Sequence, residues 1–184
     1  MTPLSATDRA ALLGIARGAI LSHLGIAPER PLPSGGALGE ERGAFVTLYV
    51  SGDLRGCIGT FRPLGSLAST VARMAVAAAT EDPRFRAIGA ADVPGLEVSV
   101  SALGAPRPLP DPRAVAVGRE GLIVKRGFHR GTLLPKVAVE HGWTAEEFLK
   151  HTCLKAGLPP GAWQEPDVAV EAFEAEEFGE VGAG

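Results

Sequence analysis

The sequence predicts an α+β fold, with a mixed or antiparallel sheet and flanking helices, and three observations lead to this class. Short runs rich in β-branched and aromatic residues occur in pairs that are joined by turn residues. Segments with apolar residues at three- and four-residue spacing lie between these runs. Strands and helices do not alternate regularly along the chain, which disfavours a parallel βαβ sheet.

The helices are predicted from apolar spacing and from capping residues. Residues 6–24 form the first helix, which begins at a capping box of Ser5 and Asp8 and ends at Gly25. A second helix, SLASTVARMAVAAAT, ends before Asp82-Pro83. A third begins at Pro135. The last, TAEEFLKHTCLKAG, begins at a capping box of Thr144 and Glu147 and ends at Gly157.

The strands are predicted from β-rich composition and alternation. Residues 44–50 and 54–61 form a hairpin through the turn Ser51-Gly52-Asp53. Residues 96–103 alternate with period two, so Glu97, Ser99 and Ser101 are expected on an exposed face. The remaining strands are GLIVKRG, GTLLP and residues 168–178, whereas residues 26–43 are rich in proline and glycine and form a surface loop.

The size and composition of the chain indicate one domain. Its 184 residues are too few for two large independent domains, although two closely joined lobes with a common core would fit. Hydrophobic residues make up 46% and charged residues 21%, far from the composition of disordered chains. We therefore expect residues 1–184 to form a single domain, ordered from about residue 5 to about residue 180.

The sequence predicts a soluble cytoplasmic protein. Charged residues are spread through the first 25 positions, unlike the arrangement in a signal peptide. No uncharged apolar run reaches the ~18 residues that span a bilayer. Cys57 and Cys153 are far apart in a chain without a secretory signal, so we expect a reduced pair.

The charge distribution is uneven, with a basic middle and an acidic tail. Residues 55–136 carry a net charge of +6 and the rest of the chain −9. A basic middle favours an anionic ligand and leaves RNA or nucleotide binding open, but scattered single arginines are also typical of a solvated surface.

The segment LRGCIGTF, residues 54–61, is the main candidate for a functional site. Alternation places Arg55 and Cys57 on one face of the strand, and a guanidinium near a thiol stabilises the reactive thiolate. Gly56 and Gly59 weaken a strand interior, which indicates either a bulge or the close approach of a ligand. The candidate catalytic residue is Cys57, and the candidate binding residues are Leu54, Arg55, Gly56, Ile58 and Gly59.

A structural interpretation of the same residues stays open. Cys57 would then be a small buried hydrophobic residue, and Arg55 would pair with an acidic neighbour. No Cys-His motif places a base next to the thiol, and His129 and His141 are the candidates further along the chain.

Two weaker constellations occur in the second half of the chain. The run KRGFHRG offers Arg126, His129 and Arg130 as an anion-binding loop, and a solvated hairpin explains it as well. His151 and Cys153 match no metal-ligand spacing, and core packing on a helix accounts for Cys153. No cofactor or metal is therefore evident from the sequence.

Several segments together resemble the AMMECR domain family, which in its bacterial form is called AmmeMemoRadiSam system protein A. The resemblance covers residues from about 45 to about 178 and is carried by LRGCIGTF, DPRF, LEVSVSAL, REGLIV and LLPKVAVEHGW followed by FLKHTCLKAGLP. It implies two α/β lobes with the LRGCIG segment, residues 54–59, at a cleft between them.

The resemblance also implies partners, while the family's reaction is not established. Its bacterial and archaeal members are often encoded beside, or fused to, a Memo-like protein similar to a class III extradiol dioxygenase subunit and a radical SAM protein. This chain has only two cysteines and no CxxxCxxC run, so any radical chemistry would belong to a partner. We expect binding of a small anionic ligand or substrate at LRGCIG, with a non-catalytic adaptor and RNA or nucleotide binding as alternatives.

Overall fold

The computed structural model describes residues 2–180. The helices are α1 (Ala6–His23), α2 (Gly36–Gly39), α3 (Leu67–Thr80), α4 (Pro135–Glu140) and α5 (Ala145–Lys155). The strands are β1 (Ala44–Val50), β2 (Asp53–Thr60), β3 (Leu96–Leu103), β4 (Arg107–Pro108), β5 (Glu120–Arg126), β6 (His129–Leu133) and β7 (Ala169–Gly179). The predicted α+β class with antiparallel strands is confirmed.

The chain divides into two compact units. Of the described residues, 2–103 and 176–180 form the first unit and 104–175 form the second. Strand β7 contributes its first residues to the second unit and its last residues to the first. The cleft implied by the resemblance stays a prediction.

The first unit is an antiparallel sheet with α1 and α3 packed against it. The strand order is β2, β1, β3 and the end of β7. Alternate residues of β1 and β3 join residues of both helices in one buried apolar cluster, which includes Leu12, Ala16, Ile20, Val46, Leu48, Val71, Val98 and Val100. Burying this surface away from water is the main stabilisation of the unit.

The second unit is a smaller antiparallel sheet covered by α5. Its strands lie in the order β6, β5, β7, with β4 pairing on the other side of β7. Its core contains Leu122, Val124, Phe148, Leu149, Cys153 and Ala172. Cys153 is fully buried in this core, as its helical spacing predicted.

Local sequence explains where the elements begin and turn. Capping boxes at Ser5 and at Thr144 open α1 and α5 as predicted, and Pro135 begins α4. In the β1–β2 turn, Ser51 and Gly52 have φ values of 54° and 85°. Two consecutive residues with positive φ are what a tight two-residue hairpin requires.

Strand β3 differs from the expectation of one exposed face. Ser99 and Ser101 are only 4% and 3% exposed, so both faces of the strand are covered. The Ser99 hydroxyl donates a hydrogen bond to the carbonyl of Phe178 at 3.3 Å, which satisfies the buried oxygen. The alternation was read correctly from the sequence, but polar residues on one face do not by themselves show that water reaches that face.

Candidate functional site

Strand β2 contains a β-bulge at Arg55. Leu48 of β1 pairs with Gly56, whereas the next residue, Tyr49, pairs with Leu54, so Arg55 is an extra residue in the ladder. A bulge interrupts the alternation of side chains along a strand. The shared face predicted for Arg55 and Cys57 assumed a regular strand, and the two side chains have different partners in the structure.

Gly56 and Gly59 are required by packing within the first unit. A Cβ atom on Gly56 would lie 2.0 Å from the carbonyl oxygen of Ala78 on α3. A Cβ atom on Gly59 would lie 2.2 Å from the ring of Phe45, its neighbour on β1. Of the two predicted explanations, the bulge is present, and the close approach at each glycine is made by the protein's own atoms.

Cys57 is a partly exposed free thiol with two polar contacts. Its sulfur accepts a hydrogen bond from the hydroxyl of Thr47, the residue opposite it on β1, at 3.3 Å. Its backbone N–H donates to Oδ2 of Asp82 at 2.9 Å.

Asp82 and Arg84 form an ion pair beside Cys57, in the turn after α3. The guanidinium of Arg84 donates to both carboxylate oxygens of Asp82, at 2.9 and 2.7 Å. These bonds, together with the N–H groups of Cys57 and Arg84, hold the pKa of the buried Asp82 carboxyl well below its usual range.

The charge on Arg84 is linked to the Cys57 sulfur. The bonds to Asp82 raise the pKa of Arg84 most, and the negative charge of a Cys57 thiolate raises it further. The arginine that interacts electrostatically with the thiol is therefore Arg84, from the DPRF segment.

Arg55 points to a second carboxylate, on Asp92. Its Nη1 lies 3.4 Å from Oδ1 of Asp92. Arg86 also binds this carboxylate and donates hydrogen bonds to Oδ1 at 2.7 Å and to Oδ2 at 3.0 Å. Arg86 first, then the Gly89 N–H, lower the pKa of Asp92 to about 2, with a smaller contribution from Arg55. The acidic partner in the structural interpretation of Arg55 is thus Asp92.

The Nη2 nitrogen of Arg55 is buried and makes no hydrogen bond to any of residues 2–180. Buried donors are nearly always satisfied in folded proteins, so an exception calls for an explanation. We call the group formed by these contacting residues the β2 site: Thr47, Arg55, Cys57, Asp82, Arg84, Arg86 and Asp92.

The other predicted residues of the LRGCIG segment differ in exposure. Leu54 is 38% exposed, so its side chain is accessible at the start of β2. Ile58 packs against the apolar core of the first unit. Leu54 is consequently free to contact a ligand, whereas Ile58 contributes mainly to packing.

Arg126, His129 and Arg130 lie on the β5–β6 hairpin of the second unit. Arg126 pairs with Glu165 at 2.8 Å and with Asp167 at 2.9 Å, so carboxylates of the same unit balance its charge. Nδ1 of His129 lies 3.2 Å from the carbonyl oxygen of Ala156. Phe128, at the tip between Arg126 and His129, is fully exposed.

The histidines near α5 are explained by ring stacking. His141 and His151 stack on Trp143 with centroid distances of 4.7 and 4.0 Å. Within residues 2–180, no group of three or more His, Cys, Asp or Glu side chains is arranged to hold a metal ion. Among the same residues, no helix combines the length and the apolar character needed to cross a membrane.

Sequence reasoning did not assign Thr47, Asp82, Arg84, Arg86 or Asp92 to the site. A signal for three of them was present in the run Asp82-Pro83-Arg84-Phe85-Arg86, where two arginines alternate after an acidic residue that ends a helix. The partner of each charge, however, depends on how the turn after α3 folds against β2.

Comparison with known proteins identifies the family. A protein of Methanothermobacter thermautotrophicus is 44% identical over 98% of both chains. Protein MJ0810 of Methanocaldococcus jannaschii is 44% identical over 77% of this chain and 75% of its own. The crystal structure of uncharacterized protein PH0010 from Pyrococcus horikoshii is similar with a TM-score of 0.82 and 41% identity, covering 92% of this chain and 90% of that one. The AMMECR1 family model matches residues 13–178, and the chain therefore belongs to the AMMECR1 family.

Proposed function

We propose that this chain binds a small anionic ligand or substrate at the β2 site, in the cytoplasm, with the Arg55 guanidinium as the main contact. The observation that carries the proposal is the buried Nη2 of Arg55, which has no hydrogen-bond partner within residues 2–180. A ligand oxygen at hydrogen-bond distance would satisfy this donor, and a charged acceptor would form the stronger bond.

The charge balance of the β2 site supports an anion. Arg84 is paired with Asp82, but Arg55 and Arg86 share the single carboxylate of Asp92. The Arg55 contact to Asp92 is the longer one, at 3.4 Å, against 2.7 Å for Arg86. One positive charge is thus incompletely compensated at a largely buried position, where an anion interacts more strongly than at the surface.

Cys57 gives the β2 site its candidate nucleophile. Its partly exposed thiol accepts a hydrogen bond from Thr47, its backbone N–H binds Asp82, and Asp82 is paired with Arg84. We propose that Cys57 acts on the ligand that Arg55 holds, which would make the chain an enzyme component. The Memo-like and radical SAM proteins implied by the resemblance are its proposed partners. If these proteins co-purify from the host with both the native chain and Cys57→Ser, the thiol is not needed for their assembly with the chain.

The anion is tested by thermal unfolding in the presence of phosphate, sulfate and succinate. A ligand that binds the native state raises the unfolding midpoint in a saturable way. We expect this rise in the native protein and in Arg119→Met, which removes an exposed arginine in the turn before β5. Arg55→Met should abolish the rise, because it removes the unpartnered donor.

Two results would contradict the proposal. One is an equal rise in Arg55→Met, which would place the anion elsewhere. The other is that none of the three anions raises the unfolding midpoint in a saturable way and that Arg55→Met is as stable as the native protein.

A further inference from the structure

A groove of about 750 Å³ runs between α1 and α3 of the first unit. Its lining on α1 extends from Ala11 to Ser22, which corresponds to about 17 Å or three helical turns. The loop after α1 forms part of its wall through Pro31 and Leu32, and Leu32 is 42% exposed. We call it the α1–α3 groove, and it contains no residue of the β2 site.

Apolar residues from α1, α3 and the loop line most of the groove. Ile15 of α1 and Ala72 and Val76 of α3 line it together with Leu32. Gly14 and Gly18 also line it, and a Cβ atom on either would meet no atom within 4 Å. Glycine disfavours a helix interior, and packing inside this unit does not require it at these positions. The two glycines deepen the groove by leaving the helix backbone uncovered.

Four charged residues also line the groove, two of each sign. Glu29 and Arg30 come from the loop, and Arg73 and Glu81 from α3 and its end. Within residues 2–180, none of the four takes part in an ion pair. Charges of both signs therefore flank an apolar channel on two sides.

We propose that the α1–α3 groove docks an amphipathic helix of a partner protein. A helix laid in a groove presents apolar residues at three- and four-residue spacing over about three turns, which matches the length of this channel. Glutamate and lysine on the flanks of that helix would complement Arg30, Arg73, Glu29 and Glu81. A fatty acid, with one anionic end, would leave both carboxylates and one arginine unmatched. This proposal is independent of the anion at the β2 site.

The test is a display library of 18-residue peptides with apolar residues at helical spacing and random charged flanks, selected against the full chain. We expect enrichment of amphipathic sequences whose flanks carry both charge signs. Gly18→Leu, which fills the groove where nothing lies within 4 Å, should weaken their affinity at least about tenfold. Arg73→Glu should weaken peptides selected with an acidic residue on that flank.

Ala10→Leu is the matched control, because Ala10 is exposed on α1 outside the groove. It should leave the affinities unchanged, and circular dichroism should show native helix content in all three variants. The proposal is overturned if no peptide is enriched, if enriched peptides lack helical spacing, or if Gly18→Leu binds them as well as the native chain. Light scattering that shows a dimer broken by Gly18→Leu would assign the groove to a second copy and would also overturn it.

Discussion

Three residues act on Cys57 from different directions. Thr47 donates to the sulfur, Asp82 accepts from the backbone N–H, and Arg84 interacts with the thiolate charge while it binds Asp82. Cys153 is in a core environment, because its side chain is 0% exposed and burial raises the pKa of its thiol. The two cysteines of this chain are therefore an internal comparison between a candidate reactive thiol and a core thiol.

At mildly alkaline pH, iodoacetamide should alkylate Cys57 much faster than Cys153. Arg84→Ala should slow labelling of Cys57 by about threefold to tenfold, since it removes a cation and leaves the Asp82 carboxylate at the Cys57 N–H without its paired charge. Peptide mass spectrometry over a time course measures both rates in the same sample.

Two further variants make this measurement specific. Arg62→Ala removes an exposed arginine just after β2 and should leave the rate unchanged. Arg55→Met should slow labelling less than Arg84→Ala, because Arg55 contacts Asp92. Equal and slow labelling of both cysteines in the native protein would show that Cys57 is not a reactive thiol.

At the scale of elements, the contact between β2 and α3 shapes the site. The bulge at Arg55 and the absence of a side chain at Gly56 let the strand approach the carbonyl of Ala78. The turn after α3 then carries Asp82 to the N–H of Cys57. Gly56 thus allows the close approach of β2 to α3 that brings Cys57 to Asp82.

Gly56→Ala should destabilise the protein by about 3 kcal/mol, because a methyl group 2.0 Å from a helix carbonyl forces the strand and the helix apart. Gly14→Ala should instead raise the free energy of unfolding by about 1 kcal/mol, because alanine is a better helix former and no atom lies within 4 Å of the added Cβ. Urea unfolding of both variants checks the pair. Similar stabilities of the two variants would refute the packing explanation of Gly56.

At the scale of the whole molecule, buried carboxylates link stability to pH. Asp82 and Asp92 have side chains only 3% and 7% exposed, and the arginines beside them lower the pKa of both. A carboxyl whose pKa is lower in the folded than in the unfolded chain contributes stability above its unfolded pKa of about 4. That contribution is lost as the pH falls through the folded pKa.

Asp82→Asn should therefore destabilise the protein strongly at neutral pH and much less near pH 2. Above pH 4, roughly, the native carboxylate is charged and paired, and the variant leaves Arg84 and the Cys57 N–H without it. Urea midpoints across this pH range measure the difference. Asp167→Asn, at an exposed pair with Arg126, should cost less than about 1 kcal/mol at neutral pH. If the loss of stability caused by Asp82→Asn stays constant down to pH 2, the charged Asp82 carboxylate does not contribute this stability.

Most elements of the fold were predictable because their signals are local. Capping boxes at Ser5 and Thr144, the turn at Ser51-Gly52 and the alternation of β3 depend on residues within a few positions of one another. The burial of Ser99 and Ser101 was not predictable, because it depends on what covers the strand in three dimensions.

By itself, the sequence determined the α+β class and the bounds of the main helices and strands to within about two residues, and it indicated the LRGCIG segment as the candidate site. Only the tertiary structure decided the partners of its charges. The bulge at Arg55 directs that side chain to Asp92, and the turn after α3 brings Asp82 and Arg84 to Cys57 across 25 or more positions of sequence. Local backbone preferences act over a few residues, whereas an ion pair forms between whichever charges the packed elements bring within reach.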